Sequence, residues 1–180
     1  MHPNLNPFSR QQIKIVNQTV SLAEELVSNH YKMSASQWLR PKYDVKTLVD
    51  LKPEEIVYGP FAQIVRYEGY RGNTALGSAV FDFYKICLQD HAIHAVLQDS
   101  NSMNLFPFCL YIIAHELIHI VRFSKFLQSF DASPQEKLTE EKRVHENTHQ
   151  ILKPVKVSGM SEVLKFYAKW RQPLEDMCSG

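Results

Sequence analysis

The sequence predicts an α+β fold, mostly helical, with a small sheet next to one central buried helix. Three observations carry that expectation. The stretch from Leu105 to Phe123, LFPFCLYIIAHELIHIVRF, is apolar almost throughout, as in a helix enclosed by the rest of its domain. Two further stretches open on helix caps, at Ser9 and Ser133. Two runs rich in aromatic and β-branched residues, 62–67 and 80–88, read as strands. At 180 residues the chain suffices for one real core, so residues 1–180 are expected to form a single small domain.

Ser9 caps a first helix to about Tyr31, with Ile13, Val16, Val20, Ala23 and Val27 at helical spacing. Its expected role is packing. Residues 33–60 are mixed in character and punctuated by Pro41, Pro53 and Pro60; Pro53-Glu54-Glu55 suits a short helical turn. Ala62 to Tyr67 is the first strand, and EGYRGN, with two Gly and an Asn, is the turn after it. Val80 to Leu88 is the second strand. DHAIHAVL is a short helix with His91 and His94 at i, i+3; no Cys or carboxylate joins them at ligand spacing, so they belong at the surface or a cleft rim. Residues 99–104, DSNSMN, form a loop into the central helix.

Pro107 fits the first turn of that central helix, and no Gly or Pro follows before Val121. A membrane span is the competing reading. About 17 residues is at the short limit for a span, and three ionisable side chains interrupt this one. Ser133-Pro134-Gln135-Glu136 is a capping box for a helix that runs to about Leu152 and stops before Pro154. Ser161 caps a last helix, EVLKFYAKWR, which sets Val163, Phe166, Tyr167 and Trp170 on one side to close the core.

Twenty basic and 19 acidic residues leave a net charge of +1, and no basic block marks a nucleic-acid surface. The segment MHPNLNPFSRQQ has no apolar h-region. Cys87, Cys109 and Cys178 form neither a C-x-x-C pair nor a disulfide framework, which suits two core thiols and one tail thiol in a reducing cytoplasm.

The chemistry sits in the central helix. His115, Glu116 and His119 read H-E-x-x-H. Residues four apart share a helical face, so two imidazoles stand one turn apart, the separation at which they grip one tetrahedral Zn²⁺. Glu116 lies about 100° round the helix, where it can take a proton from water and pass it to a leaving group. Two His and a Glu buried without partners would be costly, and a metal supplies the partner.

HELIH in an apolar helix resembles the zincin superfamily of metallopeptidases. The metzincin branch continues H-E-x-x-H-x-x-G-x-x-H; Arg122 and Lys125 occupy its Gly and third His positions here, which excludes that branch. The gluzincin branch takes a Glu ligand from a later helix, often within an E-x-x-x-D pattern. The resemblance covers roughly residues 77–152. It implies a zincin-like fold and a metallohydrolase domain. It also implies that strand 80–88 is an edge strand along the cleft, pairing with extended substrate; an ordinary core strand is the alternative.

In the Ser133 helix, Leu138, Glu141, His145, Thr148 and Leu152 fall on one stripe, read as the inward face. Glu141 is the preferred third ligand. Glu140 falls near the outer face and His149 at the stripe's edge. Glu141 and His145 reproduce the E-x-x-x-D spacing with His for Asp, so His145 is either an outer partner of a ligand or the third ligand itself. His145, Glu146 and His149 spell a second H-E-x-x-H in polar surroundings, read as coincidence. Tyr167, Tyr84, Tyr111, His91 and Arg122 are all candidates for stabilising an oxyanion.

The expected function is a zinc-dependent hydrolase, a peptidase acting on a peptide or protein substrate, with one Zn²⁺ per chain and Glu116 as general base. The alternative is a non-catalytic metal-binding regulatory or partner-binding protein on the same scaffold. Retention of Glu116 favours the enzyme, because a purely structural site has no use for the base.

Overall fold

Local signals set most element boundaries in the computed structural model, which describes residues 5–34, 36–37, 43–70, 80–125 and 127–171. The Ser9 hydroxyl accepts the Gln12 backbone N–H and the Gln12 side chain accepts the Ser9 N–H, so a capping box starts α1 (Arg10–His30). Its buried face is Val16, Thr19, Ala23 and Val27; the Thr19 hydroxyl donates to the Val16 carbonyl at 2.6 Å, which lets it enter the core. Strands β1 (Tyr43–Lys46), β2 (Ala62–Tyr70) and β3 (Val80–Leu88) follow, then α2 (Asp90–Asp99), α3 (Leu105–Ser124), α4 (Pro134–Leu152) and α5 (Met160–Phe166). Tight 3-10 turns occupy Leu48–Asp50, Pro53–Glu55 and Ala168–Arg171. Among the described residues this is an α+β structure of five α-helices and one three-stranded sheet.

The sheet order is β1-β3-β2, with β3 parallel to β1 and antiparallel to β2. This corrects the expected role of residues 80–88. As the central strand, β3 is paired with β2 along its whole length and with β1 over Tyr84–Cys87, so over those residues it is a core strand without a free edge. Strand β2 also runs further than expected, because Glu68, Gly69 and Tyr70 pair with Asp82, Phe81 and Val80. The remainder of the expected turn lies outside the described residues.

Helix α3 is buried at every position from Pro107 to Arg122 except Glu116, which is partly exposed. It is long and apolar enough to cross a membrane by length and composition, and 83% of its most apolar 18-residue window is buried inside the protein. The cover comes from α1, α4, α5 and the sheet. Helix α5 begins earlier than expected, at Met160 after Gly159, and gives way to a 3-10 turn after Tyr167. Gly159 adopts φ +85°, and a Cβ there would lie 3.1 Å from Asn104 Nδ2 and 3.2 Å from Pro107 Cγ, so the approach to α3 needs glycine. Cys87 and Cys109 are buried free thiols, and burial pushes their pKa values up to about 11 and about 12, which makes them inert. Cys178 lies outside the described residues.

Glu55 ties the 53–55 turn to the sheet. Its carboxylate is 1% exposed and accepts from Lys85 Nζ at 2.8 Å, the Lys52 N–H at 2.9 Å and the Tyr67 hydroxyl. Burial alone would push its pKa up, but these donors outweigh it and bring the value down to about 2. A carboxyl so depressed contributes stability above its unfolded pKa, about 4.3, and that contribution drains away as pH falls towards the folded value. Glu55→Gln strands the Lys85 ammonium and should cost about 3 kcal/mol at pH 7, the low end for breaking a buried pair. The variant should then lose less stability than wild type between pH 5 and pH 2. Urea unfolding across that range is the measurement, and equal pH slopes would rule the account out.

Candidate metal centre

Tyr111, His115 and His119 recur every fourth residue, so α3 stacks all three on one face. Helix α4 packs against that face and presents Glu141 and His145 from successive turns. The ring nitrogens and the carboxylate converge. His115 Nε2 lies 2.8 Å from Glu141 Oε1, His119 Nε2 lies 3.1 Å from Oε2, and the two Nε2 atoms are 3.2 Å apart. His145 Nε2 lies 3.4 Å from Glu141 Oε1. Ligand-capable atoms of His115, Glu141 and His145 all fall within 4.8 Å of one another. The structure therefore brings Glu141 and His145, the two alternatives for third ligand, to the same place.

The cluster fits a zinc ion. Imidazole nitrogen and carboxylate oxygen are its usual donors, and bonds of about 2.0–2.1 Å in a tetrahedron set donors roughly 3.3 Å apart. The separations among His115, His119 and Glu141, 2.8, 3.1 and 3.2 Å, lie close to that value. His119 Nδ1 sits 3.1 Å from Gln128 Oε1, and a donor proton on Nδ1 leaves the Nε2 lone pair facing the cluster. His115 Nδ1 is buried without a hydrogen-bond partner among the described residues.

Electrostatics divide the two imidazoles of α3. Burial lowers the His115 pKa to about 4, against the pull of Glu141, so the ring is neutral as a ligand must be. Burial also pulls His119 down, but the Glu141 and Glu116 carboxylates and Gln128 outweigh it and raise the value. Glu141 suffers the burial penalty too, yet the surrounding imidazoles hold its carboxyl well below the usual range. Glu116 is pushed up to about 7, chiefly by desolvation, with Glu141 adding and His119 opposing. A carboxylate poised there suits proton transfer near neutral pH.

Glu116 faces a cavity of about 420 Å³ that it shares with His115, Glu141 and His145. The other walls are mostly apolar: Phe61, Tyr111, Ile112, Tyr167 and Trp170. The segment Gly59 to Ala62 completes the rim, so the strand that borders the cavity is β2, an edge strand, and not β3. Nothing in the sequence of 59–62 marked it as part of a site.

Two expectations for α4 are corrected. Leu138 is 40% exposed and does not belong to the inward face, and Glu140, expected near the outer face, is 8% exposed. Glu140 turns inward because Arg122 waits there: Nε and Nη2 donate to its two oxygens at 2.8 and 3.0 Å. This bidentate pair fastens α3 to α4 three residues after His119 and one before Glu141. The second H-E-x-x-H divides, with His145 in the cluster and Glu146 in solvent.

The oxyanion candidates also separate. Arg122 is engaged by Glu140, Tyr84 lines a different cavity beside Arg66 and Phe123, and His91 Nε2 meets the Val57 carbonyl at 3.1 Å. Tyr111 and Tyr167 line the cavity with Glu116, and the Tyr111 hydroxyl already meets His145 Nδ1 at 2.8 Å.

Neighbouring carboxylates with different partners allow a sharp comparison. Glu141→Gln should weaken zinc binding by more than about 100-fold, beyond the cost of losing an outer partner. Glu140→Gln should spare zinc more and lower thermal stability more, because it breaks the buried pair with Arg122. Zinc titration beside thermal unfolding separates the two, and equal zinc loss in both variants would refute the assignment. No family model matches the sequence, and neither a curated protein nor a solved structure matches it.

Proposed function

We propose that the chain is a zinc-dependent hydrolase, a gluzincin-like peptidase, with one zinc ion per chain held by His115, His119 and Glu141. The observation behind this reading is the convergence of those three side chains, two of which, His115 and Glu141, line one cavity with Glu116. Zinc bound there supplies Lewis acidity and lowers the pKa of water towards about 7. Glu116 takes the proton from the attacking water and then delivers it to the leaving amine. The raised pKa of Glu116 suits both halves of that transfer. Tyr167 stands on the cavity wall to stabilise the developing oxyanion. The apolar walls suit an uncharged side chain of a peptide, and the edge of β2 that has no strand partner among the described residues offers backbone hydrogen bonds to an extended chain.

A second reading, a metal-binding protein without turnover, draws support from His145. A fourth ligand-capable group in the cluster could close the coordination sphere that an enzyme needs open. The test between them is cleavage of a mixed peptide library by purified protein. Cleavage that stops on chelation supports the hydrolase, and tight capture of a protein partner with no cleavage supports the second reading.

A further inference from the structure

With His119 beside His115, Glu141 and His145, the cluster offers one more ligand-capable group than an open catalytic site needs. The position of one proton on His145 decides whether the extra group closes the site. A neutral imidazole has one donor nitrogen and one acceptor nitrogen. Here Nδ1 lies 2.8 Å from the Tyr111 hydroxyl and Nε2 lies 3.4 Å from Glu141 Oε1. The ring is held in place: it is 5% exposed, stacks on Trp170 at 5.4 Å and 17°, and packs against Tyr111 and Tyr167.

Hydrogen-bond satisfaction selects between the two tautomers. The Tyr111 side chain is fully buried, and burial pushes its pKa up, so the phenol keeps its proton. Among the described residues the acceptor within reach of that proton is His145 Nδ1. Arg171, near enough to pull the phenol pKa down, carries only donors and takes no proton from it. With the ring proton on Nδ1, Nδ1–H would donate to the phenolic oxygen and the phenol proton would have no acceptor among the described residues. With it on Nε2, the phenol donates to Nδ1 and Nε2–H faces the Glu141 carboxylate at 3.4 Å.

We infer that His145 is a positioning residue and not a ligand: Tyr111 holds it as the Nε2–H tautomer, whose proton fixes Glu141 towards His115 and His119 and leaves the fourth metal position open. The inference rests on the zinc site proposed above and chooses between its two readings. It makes Tyr111, one turn before His115 on the same helix, part of the site.

Long-range ¹⁵N–¹H correlation spectra of the full-length protein report which ring nitrogen carries the proton. His145 Nε2 should be protonated with and without zinc, while the Nε2 resonances of His115 and His119 move on zinc addition. A His145 Nε2 that loses its proton and moves with theirs overturns the inference. Cobalt-substituted protein gives an independent readout. Azide should change its visible spectrum saturably, because a position is open; an unchanged spectrum means four protein ligands and overturns the inference. His145→Ala should keep one zinc per chain at about 10–100-fold lower affinity, and loss of stoichiometric zinc overturns the inference. If wild type takes up no zinc at all, the proposed function fails. The tautomer remains readable in that metal-free protein, so the two failures are distinguishable.

Discussion

Glu116→Gln should keep its fold and its zinc and lose at least about 10²-fold in turnover, the low end of what a positioned general base contributes. The dissociation follows from where Glu116 sits. Its side chain lines the cavity and forms no part of the His115–His119–Glu141 contacts, so an isosteric amide leaves those contacts alone. The amide cannot accept the proton of an attacking water. Replacing a carboxyl whose pKa burial has already pushed up to about 7 should cost the fold little, because the folded environment disfavours its charge. Peptide binding should persist, along the edge of β2 and not along the central strand β3, which is paired on both sides over Tyr84–Cys87. The assay compares wild type, Glu116→Gln and chelator-treated wild type on a mixed peptide library read by mass spectrometry. Cleavage by wild type alone is the expected pattern. Equal cleavage in all three identifies a contaminant. Undiminished cleavage by a zinc-loaded Glu116→Gln protein removes Glu116 from the mechanism.

What the sequence made legible follows the range of the interaction that fixes it. The caps at Ser9 and Ser133 and the aromatic and β-branched run in 80–88 are local signals, and the elements they mark stand where expected. Strand order is not local. Tyr43–Lys46 is short and polar in sequence, and only its parallel pairing with Tyr84–Cys87 makes it a strand and moves β3 to the centre. The site divides in the same way. His115, Glu116 and His119 are legible because their spacing is the chemistry. Glu140 is not: hydropathy assigns a lone carboxylate to solvent, and only Arg122 on another helix accounts for its burial. Trp170 and Gly59–Ala62 carry no chemical signature, and tertiary packing brings them to the cavity, Trp170 by stacking on His145 of α4.

His115→Ala or His119→Ala should abolish stoichiometric zinc, the largest effect expected on the metal itself. Each removes one of two ligands that α3 supplies preorganised, 3.2 Å apart at Nε2. The donors that remain cannot make good the loss by shifting. Helix α3 is enclosed on all sides, and the Arg122–Glu140 pair fixes α4 against it at the level of the site. The remaining His–Glu pair is then a weak two-point site. The fold should survive either change, because the apolar side chains that α3 buries in the core, among them Phe108, Leu110, Ile113, Leu117 and Ile120, stay in place. Thermal unfolding separates metal loss from misfolding. Zinc bound only by the native state stabilises it by RT ln(1 + [Zn]/Kd), roughly 2.7 kcal/mol at a hundredfold excess over Kd. Wild type should therefore unfold at a temperature that rises with added zinc, while both variants unfold cooperatively at a temperature indifferent to it. Metal analysis of purified protein gives the direct count. Zinc content unchanged in both variants would show that the α3 imidazoles are not the anchor, and with them would go the proposed hydrolase.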